Sequence, residues 1–151
     1  MTPTHATRPV QVEDTLTVRG PLMVVQLRSR SCDAILRRML EALEAAIASR
    51  ERPAMMFVMD SSAAAPGTEM RAAILAARKR HDGKVAAMAF VLEGTGFGTE
   101  VHRSVLSAVV FVGRGAAAKK LASTVEEAAT WLVDYLPDLT ARDIVGVVRN
   151  A

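Results

Sequence analysis

The chain has 151 residues, half of them hydrophobic but only 4% aromatic, and 19 Lys and Arg stand against 16 Asp and Glu for a formal charge of +3. The length suits one domain with an aliphatic core, and the single cysteine, Cys32, excludes an internal disulfide and a cysteine-based zinc site, as expected of a chain in a reducing cytoplasm. So mild and evenly spread a charge leaves no footprint for nucleic acid: only Arg78, Lys79, Arg80 and Lys84 cluster, and no aromatic side chain lies among them to stack on bases.

Residues 1–9, MTPTHATRP, are polar, contain two prolines and show no period, so they read as a disordered lead-in without an apolar stretch to act as a signal peptide. Order is expected from Val10. Val10, Val12, Leu16 and Val18 alternate in part with polar neighbours, Gly20-Pro21 interrupts, and Leu22 to Leu27 resumes the run, the pattern of an antiparallel hairpin. Ile35, Met39, Leu43 and Ile47 then recur every four residues opposite Arg37, Arg38, Glu41 and Glu44, which predicts an amphipathic helix from about Cys32 to Ser49. Ser31 or a neighbour can cap it, Asp33 favours its first turn, and Pro53 prevents its continuation.

Ala54 to Met59 (AMMFVM) is a short apolar run of the kind found in strands covered on both faces. After SSAAAPG, a second helix is expected from Glu69 to about His81 and a second buried strand from Lys84 to Leu92, giving a right-handed strand-helix-strand unit. The glycine-rich turn Gly94 to Gly98 leads into a helix from Thr99 to Val112, apolar nearly all round from Val105 onward. Lys120 to Ser123 reads as a short fifth strand or edge segment. Thr124 caps a helix that Pro137 stops, and Thr140 to Arg149 reads as a terminal helix despite its β-branched residues. The fold class is therefore α/β: a four- to five-stranded mixed sheet with an N-terminal hairpin and four to five helices. Residues 10–136 form the domain and 137–151 a C-terminal extension. No apolar run approaches the ~20 residues needed to span a membrane as a helix.

This order of elements resembles the STAS domain, the SpoIIAA-like fold of bacterial anti-sigma-factor antagonists, over residues 10–136. Met59-Asp60-Ser61-Ser62 resembles the turn in which those antagonists carry a phosphorylated serine, and Ser62 is the corresponding residue. Here Ala63, Ala64, Ala65, Pro66 and Gly67 lengthen the loop. Glu93, Gly94, Gly96, Phe97, Arg103, Glu127, Ala128, Trp131 and Leu132 are similar to a STAS-like bacterial group related to CRAL-TRIO lipid-carrier domains. That resemblance implies a fold and says little about chemistry.

The candidate site residues follow. A phosphate on Ser62 would add negative charge at a helix start, where amide donors stabilise it, whereas the plainer reading has Asp60, Ser61 and Ser62 capping a turn. Gly94, Gly96 and Phe97 lie between strand and helix, where amides can cradle an anion, but the third glycine of a dinucleotide fingerprint is replaced by Thr99. Asp60, Glu93, His102 and Arg103 could converge near that turn, yet no nucleophile elbow or paired-histidine zinc motif is present, so no catalysis, cofactor or metal is expected. Cys32 beside a helix start would have a lowered pKa if exposed, or be inert if buried. Val105, Val109 and Val112 carry more apolar surface than one helix face needs; the terminal helix, a second subunit or a lipid-like ligand could cover it. The expected function is a non-enzymatic regulatory or interaction module that binds a protein partner or itself as a homodimer. The alternatives are a carrier of an apolar small molecule and a phospho-switch through Ser62.

Overall fold

The structure, a computed structural model, describes residues 13–28, 32–59, 67–93 and 116–151. The expected hairpin is formed by β1 (Thr15–Arg19) and β2 (Leu22–Leu27), joined by Gly20-Pro21 and paired antiparallel from Thr15 opposite Gln26 to Arg19 opposite Leu22. Gly20 takes φ +55°, the left-handed conformation that the first position of a two-residue hairpin turn requires and that a glycine adopts without steric cost.

Helix α1 (Asp33–Ala48) leads to β3 (Ala54–Met59), α2 (Thr68–Arg80) to β4 (Ala87–Leu92), and β5 (Ala118–Ala122) is followed by α3 (Val125–Leu132), a 3-10 turn (Val133–Tyr135) and α4 (Ala141–Arg149). The sheet order is β1-β2-β3-β4-β5, with β2 to β5 parallel and β1 antiparallel at one edge. Several boundaries move from those expected. The strand expected from Lys84 starts at Ala87, because residues up to Gly83 and Lys84 form a turn and Ala86 donates its N–H to Pro53 O before the ladder proper begins. The weak strand lies at Ala118–Ala122 rather than Lys120 to Ser123, and Ser123 instead donates its N–H to the Glu127 carboxylate at the start of α3. The helix expected to run to Leu136 tightens into the 3-10 turn after Leu132.

Strand alternation divides the core into two layers. On one face Met23, Val25, Leu27, Met55 and Phe57 pack under Ile35, Leu36, Met39 and Leu43 of α1 and Met70 of α2. Phe57 lies opposite Phe90 in the ladder, and their rings stack with centroids 5.1 Å apart. On the other face Leu22, Val24, Met56, Val58, Ala89 and Val91 pack under Ala128, Ala129 and Leu132 of α3 and Ile144, Val147 and Val148 of α4. Ala54, Ala87 and Ala89 of the central strands belong to this layer with Ala128 and Ala129 of α3, so small side chains meet across the interface.

The terminal helix forms despite its β-branched residues. A reciprocal capping box supplies the local signal: Asp143 N–H donates to Thr140 Oγ1 and Thr140 N–H to the Asp143 carboxylate. Its residues 144, 147 and 148 then belong to the same apolar layer as α3, so this end of the chain is part of the domain core.

Candidate functional site

Parallel strands collect their functional groups at their C-terminal ends, where the chain leaves the sheet for a loop or helix. Here that end of the sheet opens into a cleft of about 570 Å³, lined by Thr15 of β1, Gln26 and Arg28 at the end of β2, Glu93 after β4, and Glu126 and Arg149 of α3 and α4. Glu13, Ser123, Thr124, Val125, Val148 and Ala151 complete its lining.

Gln26 organises the cleft. It is the last polar position on an otherwise apolar strand face and is 5% exposed. Its amide nitrogen donates to the Val148 carbonyl at 2.9 Å, tying β2 to the end of α4, and its amide oxygen accepts from the Arg28 guanidinium at 2.9 Å. The Arg28 backbone N–H is in turn held by the Asp14 carboxylate at 2.7 Å. Arg28 is thus fixed at backbone and side chain, and it faces Glu93 at 3.7 Å across the cleft mouth. That distance is an ion pair without a close hydrogen bond, and both side chains keep about a third of their surface, so the pair is weak and easily opened. Across the rim Arg149 pairs with Glu126.

The start of α3 is closed by its own side chains. Thr124 Oγ1 accepts from Glu127 N–H, and the Glu127 carboxylate accepts from Ser123 N–H. Thr15 differs: its Oγ1 is shielded from solvent and has no hydrogen-bond partner among the described residues.

Compared with known proteins, the chain matches no family model, no curated protein and no solved structure.

Of the residues picked out by sequence, Glu93 is brought into the cleft; its backbone N–H continues the sheet by donating to Met59 O at 2.8 Å. Asp60, Ser62, Gly94, Gly96, Phe97, His102, Arg103, Val105, Val109 and Val112 lie outside the described residues. Gln26, Arg28, Thr15, Glu126 and Arg149 escaped sequence reasoning. A signal for Gln26 was present, since a glutamine in LMVVQL breaks an apolar run at a position that strand alternation directs inward.

Cys32 takes the buried of its two readings. It precedes α1, where an exposed thiol would be acidified, but it is 1% exposed, and burial followed by the nearby Asp33 charge pushes its pKa up. Alkylation of the native chain by iodoacetamide should therefore be much slower than that of a free thiol and should accelerate on unfolding; equal rates would show an accessible thiolate.

A second polar cluster joins the two helices of the opposite layer. His81, 7% exposed at the end of α2, lies with Nε2 2.7 Å from Glu44 Oε1 of α1, and Arg80 donates to the same oxygen at 2.6 Å. Arg80 Nε also lies 3.3 Å from His81 Nε2, and the buried Nδ1 is left without a partner among the described residues. These bonds, His81 first and Arg80 second, hold the Glu44 carboxyl below its usual 4.5. The folded state thus favours the carboxylate. Its contribution to stability is complete above about pH 4.5 and is lost as the pH falls below that value. Glu44→Gln should flatten this part of an acid unfolding curve followed by circular dichroism; an unchanged acid limb would show that the Glu44 bonds do not contribute.

Proposed function

We propose that this chain is a non-catalytic regulatory or interaction module of the STAS type that binds a protein partner at the polar cleft. The observation that carries the reading is the Gln26-held Arg28, facing Glu93 across a cleft at the C-terminal end of the parallel strands. A loose ion pair with a pre-positioned guanidinium can exchange its internal partner for a carboxylate or backbone carbonyl of a docking segment, at little ordering cost to itself. The hairpin-led mixed sheet, with helices on both faces, agrees with the STAS resemblance.

The cleft is less suited to a lipid-like cargo, because five charged side chains, Glu13, Arg28, Glu93, Glu126 and Arg149, border it. Its hydroxyl groups on Thr15, Ser123 and Thr124 have no histidine or lysine beside them among the lining residues, as an assembled nucleophile would need.

The reading is tested by placing a photo-crosslinking amino acid at Glu93 in cells of the native host. One protein captured there, not captured from the exposed position Leu75, and lost on adding Arg28→Glu, would support it. Native mass spectrometry of the purified chain supplies the opposite outcome: a retained acyl-chain molecule without any cleft-specific protein would overturn it in favour of a carrier.

A further inference from the structure

Strand β1 ends the sheet, and among the described residues nothing pairs with its outer side. The ladder to β2 fixes which backbone groups face outward. Arg19 and Leu22 close a two-residue turn and so exchange both their hydrogen bonds; by alternation Thr17 and Thr15 also direct their N–H and C=O groups to β2. Those of Leu16 and Val18 point away from the sheet. The strand's register runs without a bulge, it contains no proline, and Val18 is 53% exposed, so its outer edge is open to pairing among the described residues.

The segment Glu13-Asp14-Thr15-Leu16-Thr17-Val18-Arg19 is self-complementary when laid antiparallel to itself about Leu16. Leu16 then meets Leu16 of a second copy and the two exchange N–H to C=O bonds through their outward groups. Thr15 meets Thr17 of the second copy, which sets a hydroxyl opposite the residue whose Oγ1 lacks a partner among the described residues. Glu13 meets Arg19 at both ends. These are non-hydrogen-bonded positions, where opposing side chains are nearest, and unlike charges directly opposite are favourable there. Both residues are exposed in the single chain. Moving the two-fold to any neighbouring residue separates Glu13 from Arg19, so charge selects one register.

We propose that β1 is a self-association strand through which two copies of this chain join antiparallel about Leu16 into one continuous sheet. The interface is isologous, as a two-fold dimer requires. It borders the cleft, because Glu13 lies on the cleft rim, and it places Arg19 between Glu13 of the second copy and Asp143 of its own α4, whose carboxyl is held below its usual range first by its bonds to Thr140 and to a smaller extent by Arg19.

The test is sedimentation equilibrium of the full chain, with the apparent mass expected to rise from 16.2 kDa toward twice that value as concentration increases. Glu13→Arg and Arg19→Glu, each alone, set like charges opposite one another at both ends and should weaken the dimer by at least about tenfold. An equimolar mixture of the two variants should restore association, because each end of the mixed pair again joins unlike charges. Both side chains are exposed, and circular dichroism of each variant checks that its fold is kept. A chain that stays monomeric at its highest soluble concentration, a dimer indifferent to both reversals, or a mixture no stronger than its components would overturn the proposal.

Discussion

Ile144→Ala is expected to lower the free energy of unfolding by about 2–5 kcal/mol, measured by urea denaturation. Ile144 is fully buried, in one apolar layer with Leu132 and Leu136 and the β3 residues Met56 and Val58. Truncation to alanine removes the transfer energy of the lost methylene and methyl groups and leaves a void that alanine-rich neighbours are too short to fill. A helix of nine residues does not hold its shape alone in water, so α4 owes its order to this contact and to its capping box. The loss should therefore spread to the bond between Gln26 and the Val148 carbonyl. Arg142→Ala, on the exposed side of the same helix, should change stability by less than about 0.5 kcal/mol. An Ile144→Ala effect below about 1 kcal/mol would mean that residues 141–149 are peripheral to the fold.

Gln26→Met should cost about 1–3 kcal/mol although it keeps volume and length. Methionine fits the space but neither donates to the Val148 carbonyl nor accepts from Arg28, so the buried carbonyl loses the donor that the glutamine supplies and Arg28 loses one of its partners. Two effects are expected from the one substitution. Denaturant unfolding reports the lost bonds, and capture of a partner at the cleft reports the release of Arg28 from its fixed position. Arg28→Ala separates them, because Arg28 is partly exposed and its removal should abolish capture while lowering stability much less. If Gln26→Met left stability unchanged, the glutamine would be solvated rather than a strut between β2 and α4.

The cleft and the hairpin edge were legible to different degrees. The hairpin could be read because its turn needs a residue of positive φ and Gly20 supplies it between two apolar runs. The central strands could be read because only elements covered on both faces are so uniformly apolar. Strand ends could not be read, since neither propensity nor pattern distinguishes the last ladder residue from the first loop residue; Lys84, Val85 and Ala86 look like strand and lie before β4. Arg28 as a site residue was not legible at all. Its role depends on Gln26, on Val148, which is 122 residues further along the chain from Gln26, and on Glu93, and no local pattern records that these meet.

By itself, then, the amino-acid sequence determined the class of the fold, the hairpin, the alternation of buried strands with amphipathic helices, and an aliphatic core with one cysteine. These follow from spacing, turn chemistry and composition, all local properties of the chain. Tertiary structure alone decided that Cys32 is buried and its thiol less acidic, that α4 completes the core, that Gln26 holds Arg28 opposite Glu93, and that β1 lies at a free edge among the described residues. Each of these depends on which distant segments are brought together, and burial, pKa and pairing are properties of that assembly rather than of any residue in it.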